Sequence, residues 1–127
     1  DELHELIVER YRVSNGTINR GYLDFIADST MARHESAPTR RERLIRKAAH
    51  LLFGIVSSHP FLDGNKRTGL LAAGAFLLRN GFKIACSTED GNKLVMGVSN
   101  HEVKNEAEVA AWIRLRLTRP GVRKESA

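Results

Sequence analysis

The chain has 127 residues, with 42% apolar and 28% charged content, a balance typical of a folded globular domain and not of a disordered segment. Its formal net charge of +5 and pI near 9.8 favour an anionic partner: nucleotide, nucleic acid or an acidic protein surface. The longest apolar run, "GLLAAGAFLL", falls short of the roughly 20 residues that a membrane-spanning helix needs, and the single Cys86 fits a reducing cytoplasm.

Read in chain order, the pattern is helical nearly throughout. Leu3, Leu6, Ile7 and Tyr11 recur at helical spacing in an acidic opening segment that does not read as a signal peptide, and Ser14 to Gly16 closes it. A short helix is expected from Asn19 to Ala27, then an exposed polar loop or flap, "DSTMARHESAP". Thr39 as N-cap with Glu42 three residues later forms a capping box. Behind it Leu44, Ile45, Ala48, Leu52, Ile55 and Val56 form one apolar stripe, leaving Arg43, Arg46, Lys47 and His50 for the surface. "SSHP" ends that helix, because a residue preceding proline is pushed out of the helical region.

The next helix opens near Asn65 and is apolar almost all round, which predicts a buried central helix over 65–80. Asn80-Gly81 supplies its left-handed C-cap. "FKIACS" reads as a short extended piece. Ser87 with Asp90, and Asn105 with Glu108, cap two further helices; the first carries Leu94, Val95 and Val98, the second Val109, Trp112, Ile113 and Leu117. Pro120-Gly121 stops the last one. The expectation is a single all-α domain, 1–120, of about six helices around the 65–80 helix, with 121–127 a frayed tail.

The loop "HPFLDGNKRTGL", His59 to Leu70, holds more chemistry than a helix-to-helix turn requires. A helix N-terminus presents unpaired N–H donors and partial positive charge to an anion, and Gly64 lets backbone approach one closely. Asn65 adds an amide donor, while Lys66 and Arg67 add full charges. Asp63 is compatible with phosphates when a magnesium ion lies between them. Neutral His59 can take a proton from a hydroxyl. Phe61 anchors the loop.

Asp63, Gly64 and Asn65 alone are what any capped turn would use. The discriminating signal is Lys66 and Arg67, because cations in a first turn oppose the helix dipole unless an anion binds there. The spacing of a P-loop, a calcium loop or an HExxH zinc site is absent, and His50, His59 and Asp63 do not form a supported metal set. His4, His34 and His101 read as plain surface residues.

The same loop resembles the Fic/Doc signature HPFx[DE]GNGRxxR, standing here as His59-Pro60-Phe61-Leu62-Asp63-Gly64-Asn65-Lys66-Arg67 with Leu70 at the closing position. The second glycine of the pattern is Lys66 and the final Arg is Leu70, which is similar to the Doc (death on curing) toxin branch. That resemblance implies ATP and Mg2+ as reactants, His59 as general base, Asp63 on the metal, and Gly64, Asn65, Lys66 and Arg67 on the phosphates. It further implies a reversed nucleotide whose γ-phosphate goes to a Ser or Thr hydroxyl of a translation elongation factor. Fic-type AMP transfer is the alternative. No [ST]xxxE[GN] self-inhibiting stretch is found, so the implied off-switch is a separate antitoxin with a partly disordered tail. A non-enzymatic nucleic-acid binder, resting on Arg40, Arg41, Arg43, Arg46 and Lys47, has less support, since those residues read as a solvated helix face. A fourth reading makes the domain a remnant with a dead site.

Overall fold

A computed structural model describes residues 3, 5–9, 20–58 and 63–120, with side chains described for 3, 5–9, 24–57 and 66–120. The expectations for Ser14 to Gly16, for His4, Tyr11, His59 and Phe61, and for the 121–127 tail fall outside the described residues.

Six helices form the domain among the described residues. α1 is helical over residues 5–9, and α2 (Arg20–Ala32), α3 (Arg40–Ser58), α4 (Asp63–Arg79), α5 (Thr88–Ser99) and α6 (Glu106–Arg116) follow. Two short strands, β1 (Lys83–Ile84) and β2 (Leu117–Thr118), pair antiparallel with Lys83 opposite Thr118 and Ile84 opposite Leu117. The all-α class stands. The shared centre, however, is α3, which packs against α2, α4, α5 and α6, whereas α4 meets α3, α5 and β1.

The reason lies in how each helix distributes its apolar surface. α3 buries Ala48, Ala49, Leu51 and Leu52 in succession, so it is covered around most of its circumference and not along one stripe. Its alanines keep it slim enough for several neighbours, and each fully buried Leu or Ile contributes about 1.5–3 kcal/mol. α4 buries Ala72, Ala73, Phe76 and Leu77, but Leu78 stays 55% exposed and Leu70, Leu71 and Gly74 are only half-buried. Its second apolar face therefore belongs to something other than the core. α3 and α4 cross closely at Gly69, where a β-carbon would stand 2.5 Å from Val56 Cγ2 and 3.2 Å from the Leu52 carbonyl oxygen.

Capping follows the sequence closely. Glu42 N–H donates to Thr39 Oγ1 (3.0 Å), Asp90 N–H to Ser87 Oγ (3.0 Å) and Glu108 N–H to Asn105 Oδ1 (3.0 Å). The Thr39 box is only half formed, since the Glu42 carboxylate accepts from Arg46 and Arg114 instead of turning back to the cap. α4 ends in a Schellman motif: Phe82 N–H donates to the Leu77 carbonyl, Gly81 N–H to that of Leu78, and Gly81 takes φ +93°. α5 closes the same way, with Glu102 N–H on Gly97 and His101 N–H on Val98, but the left-handed residue is His101, at φ 65°.

Three expectations are corrected. α2 runs on through Asp28–Ala32, where the polar sequence implies a loop, because tertiary partners stabilise its last turn: Lys47 Nζ donates to the Met31 carbonyl (2.5 Å). Lys47 and His50 are buried, at 4% and 8% exposure, where helical spacing alone puts them on the surface. Leu117 belongs to β2 and not to the last helix; Ala85 N–H donates to the Arg116 carbonyl (2.7 Å) and draws the chain into the strand pair.

Candidate functional site

α4 begins at Asp63, so Asp63, Gly64 and Asn65 form its first turn instead of preceding it. Their side chains lie outside the description, as do His59 and Phe61 altogether. Lys66, half-buried, and Arg67, exposed, follow in the same N-terminal part of α4. The structure brings these two together on the wall of a cleft of about 740 Å³ between α4 and α5.

The cleft is chemically two-ended. Lys66 and Arg67 stand where the dipole of α4 is positive. Leu70, Leu71 and Gly74 continue along α4 as an apolar wall, faced by Val95 and Met96 of α5. Polar groups enter from the β1–α5 connection and α5 itself, through Ser87, Thr88 and Asn92, with exposed Cys86 beside them. The two walls meet at Gly91, where a β-carbon would lie 3.0 Å from Leu70 Cδ2 and 3.8 Å from Cys86 Sγ. Cations at one end and apolar surface at the other suit a ligand that is itself anionic at one end and flat or apolar at the other. The volume falls within the range of small-molecule sites.

The cleft accounts for the unused face of α4. Sequence reasoning found the cations and singled out position 70 but missed Gly74, Gly91, Asn92 and Met96. The available signal was an α4 with more apolar surface than one core contact can cover. Leu70, where the signature pattern has Arg, lines this cleft, so the position presents hydrocarbon to it in place of a charge.

A second polar cluster lies away from the cleft, where α2, α3 and α6 meet. His50 Nδ1 is 2.7 Å from Glu106 Oε2, and His50 Nε2 is 2.7 Å from Ser29 Oγ. The carboxylate only accepts, so Nδ1 carries the proton and Nε2 accepts from the Ser29 hydroxyl. The order Ser–His–acid matches a hydrolytic triad, yet Ser29 sits inside a helix whose N–H groups are committed to the helical ladder, leaving no donors for an oxyanion. The cluster is a three-helix clamp.

Hydrogen bonding from His50 holds the Glu106 carboxyl below its ordinary range against the opposing effect of burial. His34, half-buried and 4.0 Å from Glu106 Oε1, is pushed down by burial; it is not the plain surface group its surroundings in sequence imply. Lys47 also pairs with Glu35, whose carboxyl that hydrogen bond lowers. Among the described residues no group of three or more His, Cys, Asp or Glu could hold a metal ion, and no helix is long and apolar enough to cross a membrane.

Residues 2–77 match the Fic/DOC family, more than half of the chain and the whole of the 59–70 loop. The chain belongs to the Fic/DOC family. No match was found among curated proteins or among solved structures. Fic/DOC proteins are in general transferases that use ATP and Mg2+, and the toxins among them act on protein substrates within toxin–antitoxin systems. The match ends at Leu77, within α4, so the α5 wall of the cleft lies beyond it.

Proposed function

We propose that this Fic/DOC protein is a toxin of the Doc kind: a protein kinase that transfers the ATP γ-phosphate to a Ser or Thr hydroxyl of a translation elongation factor. His59 takes the hydroxyl proton, Asp63 holds Mg2+, and Gly64, Asn65, Lys66 and Arg67 bind the phosphates. Phe61 anchors the loop. A cognate antitoxin restrains the enzyme, and both ATP and target place the reaction in the cytoplasm.

The observation that carries this reading is the position of Lys66 and Arg67, at the positive end of α4 and on the mouth of the 740 Å³ cleft. A triphosphate seated there leaves its nucleoside the apolar stretch between Leu71 and Met96. Lys66 in place of the pattern's second glycine, and Leu70 in place of its last Arg, favour phosphoryl over AMP transfer. Without a clamp at 70 the triphosphate tail is held at the helix start alone, next to the base.

The decisive experiment incubates the protein with an elongation factor and ATP labelled at either the α or the γ phosphate. Label from the γ position, lost in His59→Ala, is expected. Transfer from the α position alone replaces the kinase by an AMP transferase. Unchanged toxicity of His59→Ala removes the enzymatic reading.

A further inference from the structure

The molecule carries a second basic feature outside the cleft. Arg40 and Arg41 occupy the first turn of α3, the place where a helix disfavours cations. Together with Arg119, Phe82, Leu117 and Thr118 they line a recess of about 250 Å³ beside the β1–β2 pair. The recess shares no lining residue with the cleft, although its Leu117 pairs with Ile84, which lines the cleft.

What holds the three guanidinium groups there is not acid. Arg40 Nη2 donates to the Asn80 carbonyl (3.0 Å) and Arg41 Nη2 to the Arg114 carbonyl (3.4 Å), both at helix C-terminal ends. Arg119 lies over the Phe82 ring, 5.1 Å from its centroid. No carboxylate lines the recess, and no Asp or Glu among the described residues pairs with any of the three. Among the described residues the partners that fix these three charges around one hollow are thus neutral. Each guanidinium keeps further N–H donors for a planar, two-pronged grip on phosphate.

The recess is too small for a nucleotide but of a size for one phosphate group. Phe82 is buried and its face is taken by Arg119, so no aromatic surface remains for a base to stack on. No Asn or Gln lines the recess to read a base edge. Lys83 is exposed directly across the strand pair from Thr118 and extends the positive surface.

We infer that the Arg40–Arg41–Arg119 recess is a binding site for the phosphodiester backbone of nucleic acid, independent of base sequence and separate from the α4–α5 cleft. The part of the basic helix face that sequence reading offered to nucleic acid thereby narrows. Lys47 is buried and Arg46 is engaged by Glu42, while Arg40 and Arg41 keep their charge and gain Arg119.

The test is fluorescence anisotropy with a labelled single-stranded RNA and a labelled DNA duplex over a salt series. Wild-type protein binds both, more weakly as salt rises. Arg41→Gln/Arg119→Gln lowers affinity about tenfold or more and flattens the salt slope by roughly two. Arg119→Glu, a single change beyond β2, moves affinity the same way and serves if the double variant melts early. Lys93→Gln/Lys104→Gln, which removes two cations elsewhere, stays within about twofold of wild type. No binding by wild type, or equal binding by the recess variants, overturns the proposal. So does polyglutamate of matched charge binding as tightly as RNA and losing as much, which assigns the recess to an acidic protein segment.

Discussion

His50 Nδ1 donates to Glu106 Oε2 across 2.7 Å, and through this contact the central helix holds α6 while its other ring nitrogen holds Ser29 of α2. Ser29 Oγ also lies 3.3 Å from the Ile26 carbonyl, so the hydroxyl is tied both to the ring and to its own helix.

His50→Ala is expected to cost about 1–3 kcal/mol, because it leaves Ser29 and Glu106 without their partner and opens a hole beside them. Chemical denaturation checks this. Phosphotransfer measured well below the melting temperature should persist, since the clamp touches neither Lys66 nor Arg67; a fully folded but inactive variant would contradict that separation.

Glu42 receives Arg114 Nε at 3.1 Å and Nη2 at 2.5 Å, and Arg46 Nε at 2.8 Å. The Arg114 hydrogen bonds lead in pushing its carboxyl from 4.5 down to about 2. A folded pKa below the unfolded one gives stability that is complete above about pH 4.5 and fades as pH falls towards 2. Glu42→Gln should accordingly lose about 1–2 kcal/mol at neutral pH and match wild type near pH 2, as followed by denaturation at several pH values.

Glycines on α4 should separate by what surrounds them. Gly69→Ala drives a methyl into Val56 and the Leu52 carbonyl and should cost about 1–3 kcal/mol. Gly74 has nothing within 4 Å of an added β-carbon, so Gly74→Ala should gain about 0.5–1 kcal/mol from helix propensity. Gly74→Phe fills the cleft instead, and should weaken ATP binding in calorimetry while the melting temperature holds.

His101 spends its left-handed φ of 65° in a position that glycine adopts freely. His101→Gly should raise stability by about 1 kcal/mol, and Gly81→Ala, the reverse change at the end of α4, should lower it by about as much. Thermal melts of the two variants check the pair together.

Helix number, the caps at Thr39, Ser87 and Asn105 and the stop at Gly81 were legible because each depends on residues within four positions. The centre of the fold was not. Periodicity reports that α4 is apolar all round but not whether core or ligand covers the second face, and α3 hides its burial behind Lys47 and His50, polar residues whose partners Glu35, Met31 and Glu106 come from outside the helix. At the cleft, Lys66 and Arg67 were visible as a local conflict with the helix dipole. Its far wall was not, since Gly91, Asn92 and Met96 acquire meaning only when α5 folds back onto Leu70. Of the strand pair, β1 was legible within "FKIACS", but its partner β2 was not, because two residues at the end of a helix carry no period.

The contact of Gly91 with Leu70 makes the gap between the two walls depend on one hydrogen atom. Any larger group at 91 acts as a wedge, and trimming 70 is the only relief within reach, so the two positions form a calliper. A matched pair of changes there would retune which heterocycle enters without disturbing a single charge.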